Sequence, residues 1–324
     1  MGTTVRAKRI SRSLSILPIT PAKRNVAPPL ARFILFAFFV CSLPAVVIAQ
    51  ALPDLTVPPA VLSRLQDRIS HGSVEEKRSA LFEIRNLRLE SASRIALPAL
   101  RDKDPMVRAT AAAAVRFLPK SEASAALQPL LNDASEFVRR EAAYALGDVG
   151  DGSATSELLR LLQNDKILEV RTAAAIALGK IGDTTAIPSI VAILNKRATE
   201  ADEFLRRSAA RSIGQIAQIN VTGDPTVVTP QNFLPEKFKD LGPSDATGAV
   251  PQIYARSVDV LTAVLRSKSE SDDTRREAAY SLGAIGDSRS LDVLRGFVAS
   301  PDPYLAEICK EAVLKIERRM KTTS

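Results

Sequence analysis

Residues 138–151 read VRREAAYALGDVGD, residues 170–183 read VRTAAAIALGKIGD, and residues 274–287 read TRREAAYSLGAIGD. The three runs share a pair of alanines, a Leu-Gly step and a closing Gly-Asp. Two further copies start at Val107-Arg108 (followed by ATAAAAVRFL) and at Leu205-Arg206 (followed by RSAARSIGQIA). Fainter ones place Lys77 and Ala306 at the arginine position. The anchors stand at 77, 108, 139, 171, 206, 275 and 306, separated by 31, 31, 32, 35, 69 and 31 residues. The long interval equals one repeat plus about 35 extra residues, and a regular beat of this length marks a stacked repeat architecture.

Each copy reads as two helices. Val138, Ala142, Ala145, Leu146 and Val149 fall on one helical face, and so do Ile187, Ile190, Val191 and Leu194 in the second helix of the next unit. Gly147 and Gly150 lie near the end of the first helix, and Asp151 caps the start of the second, with Asp183 and Asp287 in the same place. Asp104-Pro105 and Asp302-Pro303 mark starts of first helices, Asp as cap and Pro in the first turn, where a missing N–H costs nothing. The alanines at 111–114, 142–143 and 173–175 let first helices lie close together. A single pair cannot bury both of its faces, so stacking supplies the core. The absence of Trp and of Val/Ile/Tyr-rich alternating runs also favours an all-α fold.

This pattern resembles the HEAT repeat, in the short form of phycobilisome lyases and many bacterial proteins. The resemblance implies an α-α superhelix of about six to seven helical pairs over residues 52–324. It also implies that Arg108, Arg139, Arg171, Arg206 and Arg275 are structural, each paired with an acid of a neighbouring unit. By the same resemblance, second helices line the concave side and offer the partner contacts. Residues 220–252, rich in Pro, Gly, Asp and Thr, interrupt the fifth unit and are expected to project as a loop. Within them the apolar Phe233, Leu234 and Phe238 argue against full disorder: they dock on the solenoid or, as candidate partner contacts, meet a partner.

The charge is unevenly spread. Of 44 Lys and Arg, seven lie in residues 1–51, which hold no acid; 37 remain against 36 Asp and Glu. The remaining chain is near neutral, so no nucleic-acid partner is expected. Those 51 residues read as a signal peptide: a basic stretch, an apolar run from Phe33 to Ala49, and the small-x-small site Ala49-Gln50-Ala51. The alternative is a membrane anchor at 33–49. The first reading implies export to the periplasm or the medium, and the second an exported chain held at the membrane. Cys41 does not sit in a lipoprotein context, and Cys309, spaced helically from Leu305 and Val313, reads as a buried apolar residue.

Chemistry is sparse. His71 is the one histidine in the sequence, so His-cluster metal sites are excluded. Deoxyhypusine hydroxylases are HEAT-like too but bind two irons through repeated His-Glu pairs, whereas His71 is followed by Gly72. The glycines of GDVGDG at 147–152 belong to the repeat turn and not to a phosphate loop. Asp272-Asp273 read as helix-start residues. The expectation is therefore a non-catalytic exported scaffold that binds a protein partner without a cofactor. A phycobilin-lyase-like enzyme or chromophore-handling chaperone is the alternative.

Overall fold

In the computed structural model, which describes residues 57–224, 229–238 and 250–323, each copy of the repeat is a pair of helices. After α1 (Pro59–His71) come α2 (Val74–Leu87) with α3 (Glu90–Ala96), α4 (Pro105–Ala114) with α5 (Lys120–Leu127), and α6 (Glu136–Val149) with α7 (Thr155–Asn164). They continue as α8 (Leu168–Ile181) with α9 (Ile187–Leu194), α10 (Glu203–Thr222) with α11 (Ala255–Arg266), and α12 (Asp272–Ile285) with α13 (Leu291–Arg295). A further first helix, α14 (Pro303–Thr323), stacks on α12. A short 3-10 turn adjoins each second helix, and no strand occurs among the described residues. The fold is the α superhelix that the beat implied.

The punctuation works as the sequence suggested. Asp104 Oδ1 accepts the N–H groups of Met106 (2.8 Å) and Val107 (3.2 Å) at the start of α4, and Asp302 accepts that of Tyr304 (3.1 Å) at α14. Such caps are worth about 1 kcal/mol each. The first helices α6, α8 and α12 end on Gly150, Gly182 and Gly286, whose φ values of 66°, 81° and 78° lie in the left-handed region that glycine adopts most readily. The next residue, Asp151, Asp183 or Asp287, accepts the N–H two positions on and so opens the turn into the second helix.

First helices press directly on their successors. A Cβ on Gly147 would sit 2.7 Å from Ala177 Cα, and one on Gly214 would sit 2.8 Å from Ser281 Cα. Serines tie the same contacts: Ser212 Oγ donates to the Ala175 carbonyl (2.8 Å) and Ser281 Oγ to that of Ala210 (2.6 Å). Second helices touch one another only sparsely. The row of first helices is thus the compressed, inner side of the stack, which corrects the expectation that second helices line it. Between the rows runs one continuous apolar core, from Leu65 to Ile316, into which Leu146, Leu158 and Leu178 are fully buried. Cutting such a leucine to alanine costs about 2–5 kcal/mol.

A ladder of ion pairs fixes the register from unit to unit. Lys77 reaches Asp102 (2.7 Å), Arg108 grips Asp133 with two hydrogen bonds (2.8 Å each), and Arg139 grips Asp165 (2.7 and 3.1 Å). Burial pushes the carboxyls of Asp102, Asp133 and Asp165 up. Their cationic partners and a backbone N–H outweigh it and hold all three below the ordinary aspartate value. Arg206 is 2% exposed; it pairs with Glu270 and also donates to the carbonyls of Ile193 (2.9 Å), Leu194 (3.1 Å) and Lys196 (2.8 Å). Two arginines depart from the implied pattern. Arg171 donates to the Leu162 carbonyl (3.0 Å), and Arg275 to the Leu265 carbonyl (3.1 Å) and to Asp272 of its own helix (3.2 Å). Its neighbour Arg276 takes the next unit's acid, Asp302 (2.7 Å).

The leader reading of residues 1–51, the anchor at 33–49 and Cys41 lie outside the described residues, as do residues 225–228 and 239–249 of the interruption. No helix among the described residues is long and apolar enough to cross a membrane.

Candidate functional site

The first helices carry a polar and aromatic ridge on the face turned away from the core. At one equivalent place, two residues before the anchor, four of the seven units carry Met106, Phe137, Phe204 and Tyr304, all exposed, while the other three carry Glu75, Glu169 and Asp273. Arginines lie over three of these rings: Arg140 over Phe137 (5.4 Å), Arg207 over Phe204 (4.5 Å) and Arg276 over Tyr304 (5.6 Å). Charge pairs lace neighbouring first helices on this side. Asp148 joins Arg116 and Lys180 (2.6 Å), Arg207 joins Asp273 (3.0 Å), and Arg211 joins Glu277 (3.1 Å).

Two hollows open in the ridge, and both are built on the same short motif. Arg140-Glu141-Ala142-Ala143-Tyr144 on α6 recurs as Arg276-Glu277-Ala278-Ala279-Tyr280 on α12. The Arg, Glu and Tyr of each copy fall at i, i+1 and i+4, on the inner face, while the alanines turn into the helix–helix contact. The larger hollow, of about 390 Å³, lies between α6 and α8, with Leu168, Glu169 and Thr172 opposite the motif and Phe204 at its edge. The smaller, of about 210 Å³, lies between α12 and α14, with Arg211, Tyr304 and Ile308 around the motif and Thr229 and Pro230 across its mouth. Burial pushes the phenols of Tyr144 and Tyr280 up from the ordinary value. Tyr280 is 3% exposed and its hydroxyl has no protein partner among the described residues. A buried, unpaired hydroxyl costs about 1–3 kcal/mol.

The described part of the interruption packs on α14 at this end of the ridge. Glu311 accepts from the Thr229 hydroxyl and from the N–H groups of Gln231 and Asn232, and Asn232 Nδ2 donates to Glu307 (2.8 Å). Phe233 meets the ring of Tyr304 edge-on at 5.2 Å, Leu234 is half-buried, and the Phe238 side chain lies outside the described residues. The segment therefore seals one edge of the smaller hollow rather than projecting freely.

The repeat arginines Arg108, Arg139, Arg171, Arg206 and Arg275 line neither hollow. The caps Asp104, Asp151, Asp183, Asp287 and Asp302 serve helix starts, and Asp302 also holds Arg276. His71 sits exposed at the end of α1, with Nδ1 3.0 Å from Asp67. Cys309 is buried, and burial pushes its thiol up to about 12. Among the described residues no three His, Cys, Asp or Glu come together as a metal site. Sequence reasoning missed the motif tyrosines. The signal was present in the Arg-Glu-Ala-Ala-Tyr run occurring twice, since outward positions of a repeat are free to differ unless they share a task.

Comparison with known proteins corrects the expectation of a non-catalytic scaffold. Deoxyhypusine hydroxylase-B of Oryza sativa subsp. japonica is 26% identical over 75% of this chain and 88% of its own length. Deoxyhypusine hydroxylase of Bos taurus is 39% identical over 62 residues, a fifth of that protein. These relatives are enzymes, so neither the scaffold reading nor the statement that the chain is not an enzyme is retained. Among solved structures, the phycocyanin lyase complex from Nostoc aligns over 83% of this chain and 97% of its own, with 20% identity and a TM-score of 0.45. The family model for HEAT repeats matches residues 59–147, 125–214 and 246–313. With that match over well more than half of the sequence, and a stacked first helix for every anchor from Lys77 to Ala306, the chain belongs to the HEAT-repeat family.

Proposed function

We propose that this chain acts on a polypeptide, which it receives in extended form across the inner face of its first helices, with side chains entering the two motif hollows. The observation that carries the reading is the motif's recurrence. Two hollows with the same Arg, Glu and Tyr stand three helix steps apart on one ridge. At 8–10 Å per step that is roughly 24–30 Å, which about seven to nine extended residues span. The similarity to deoxyhypusine hydroxylases supports it, since the name of those enzymes gives a modified amino acid as their substrate.

The iron that this similarity implies does not fit the residues present. His71, the one histidine, lies exposed at one end beside Asp67, and the described carboxylates form no metal-holding group. No step through a metal is proposed. The residues themselves supply capture: exposed rings backed by arginine for apolar side chains, and the Glu141 and Glu277 carboxylates, beside the half-buried Tyr144 and the buried Tyr280, for polar ones.

A photoreactive amino acid placed at Phe204, on the ridge, should trap polypeptide from a lysate. The same group placed at Arg160, exposed on α7, should trap far less. Equal trapping at both positions, or trapping at Arg160 alone, would refute the reading. We propose also that residues 1–51 direct export with cleavage after Ala51. The intact mass of the chain recovered from outside the cytoplasm should begin at Leu52, and recovery only as full-length cytoplasmic chain would overturn this.

A further inference from the structure

We infer that the larger hollow, between α6 and α8, receives an arginine side chain of the bound polypeptide; the inference rests on the proposed function and names the residue this hollow selects. Charge decides the sign of the guest. The charged side chains lining the hollow are Arg140, Glu141 and Glu169. Arg140 is matched by Glu141 (3.3 Å). The Glu169 side chain is exposed and makes no hydrogen bond or ion pair among the described residues. One negative charge is therefore left over in the lining, and a guest with one positive charge would match it. The smaller hollow differs at this place. Tyr304 stands there where Glu169 stands in the larger, two residues before the anchor, and its charges close in pairs: Arg211 with Glu277 (3.1 Å) and Arg276 with Asp273 (2.7 Å). The motif is common to both hollows, and Glu169 gives the larger one its sign.

The walls select a flat cation over a compact one. Tyr144, Phe204 and Leu168 line the hollow beside the carboxylates. A guanidinium is planar and weakly hydrated; it stacks on aromatic faces while it donates in pairs to a carboxylate, whereas an ammonium is a strongly hydrated point charge. The chain seats its own guanidiniums in this way along the ridge. Arg140 lies over Phe137 at 5.4 Å, and Arg207 lies over Phe204 at 4.5 Å and is matched by Asp273 (3.0 Å). Leu168 offers an apolar flank to the methylene stem. The hollow's volume of about 390 Å³ is well above the roughly 150 Å³ that houses one benzene ring, which leaves room for a guanidinium and its stem.

The test titrates the full chain, at low salt and by ligand NMR, with three nine-residue peptides that differ only in a central arginine, lysine or citrulline, and with N-acetylarginine amide. Citrulline keeps the shape of arginine without its charge. The arginine peptide should bind about five- to tenfold tighter than the citrulline peptide and about two- to fivefold tighter than the lysine peptide. Glu169→Gln should bring the arginine peptide to within about twofold of the citrulline peptide and leave the latter unchanged, and Glu169→Lys should place arginine below citrulline. Glu157→Gln, on α7 of the outer row, should alter none of them. Glu169 is exposed and unpaired, so its variants keep the fold. The inference is overturned if arginine and citrulline peptides bind the parent alike, if lysine binds as tightly as arginine, if Glu169→Gln leaves the preference intact, or if no probe saturates by about 10 mM. N-acetylarginine amide binding as tightly as the arginine peptide, with the same loss in Glu169→Gln, keeps the guanidinium site and tells against the polypeptide reading.

Discussion

Replacing Gly214 by alanine tests how tightly the first helices are pressed together. The new Cβ would lie 2.8 Å from Ser281 Cα and 2.8 Å from Tyr280 Cε1, against an ordinary carbon–carbon contact of about 3.5–4.0 Å. Neither neighbour is the loose end of a flexible chain, so α10 and α12 must part. Overpacking of this kind costs about 1–3 kcal/mol. Parting also strains the Ser281 hydrogen bond to Ala210, for about 1 kcal/mol more. Alanine's better helix propensity returns about 1 kcal/mol. The net loss is about 1–3 kcal/mol. At about 2–4 °C per kcal/mol for a unit of this size, the melting temperature falls by about 2–12 °C. Gly152→Ala is the control, because a Cβ there meets nothing within 4 Å; it should shift stability by under about 0.5 kcal/mol. Thermal melts followed by circular dichroism at the helical minimum decide the matter. A Gly214→Ala chain that melts with the parent or above it would refute the inner-row packing.

Arg206→Ala should cost about 3–5 kcal/mol in a denaturant melt, because it strands the buried Glu270 carboxylate; a loss below about 1 kcal/mol would count against that pairing. Acid should unfold the chain in a definite window. Asp102, Asp133 and Asp165 sit below their unfolded value of 3.8. Their contribution is therefore complete above that value and is lost as pH falls through the lowered folded-state values. Melting temperature against pH should drop steeply below about 4, and Asp165→Asn should lower it at neutral pH while removing part of the acid drop. Chain purified from iron-rich medium should carry far less than one iron per molecule by elemental analysis; about two per molecule would contradict the donor set described.

What the sequence made legible was whatever repeats. The beat of arginine anchors, the caps at Asp151, Asp183 and Asp287, and the small residues between first helices all follow from local chemistry, and the helices form where that chemistry places them. Which row lies inside was not legible. Periodicity tells which face of a helix is apolar, not which row of helices is drawn together, and that depended on Gly147, Gly214 and their partners across the interface. Arg206 and Glu270 stand 64 residues apart across the interruption, and no local pattern joins them. Arg275 and Arg276 are adjacent, so only the register of α12 against α14 decides that Arg276 holds Asp302. For the site, the doubled Arg-Glu-Ala-Ala-Tyr run was visible but was absorbed into the repeat. The scaffold expectation rested on the solenoid, the export signal and the missing active-site residues, against a relationship to enzymes that spans three quarters of the chain.

Thiol footprinting of the inner face tests the proposed capture surface most directly. In a Cys41→Ser background the native Cys309 is buried with its thiol pushed up to about 12, so it stays silent to alkylation at neutral pH. Single cysteines are placed at Phe137, Phe204 and Tyr304 on the ridge and at Ser156 and Arg160 on a second helix, and alkylation is timed with and without captured polypeptide. The reading predicts slowed alkylation at the three ridge positions and unchanged rates at 156 and 160. Protection of 156 and 160 with the ridge left open would contradict it.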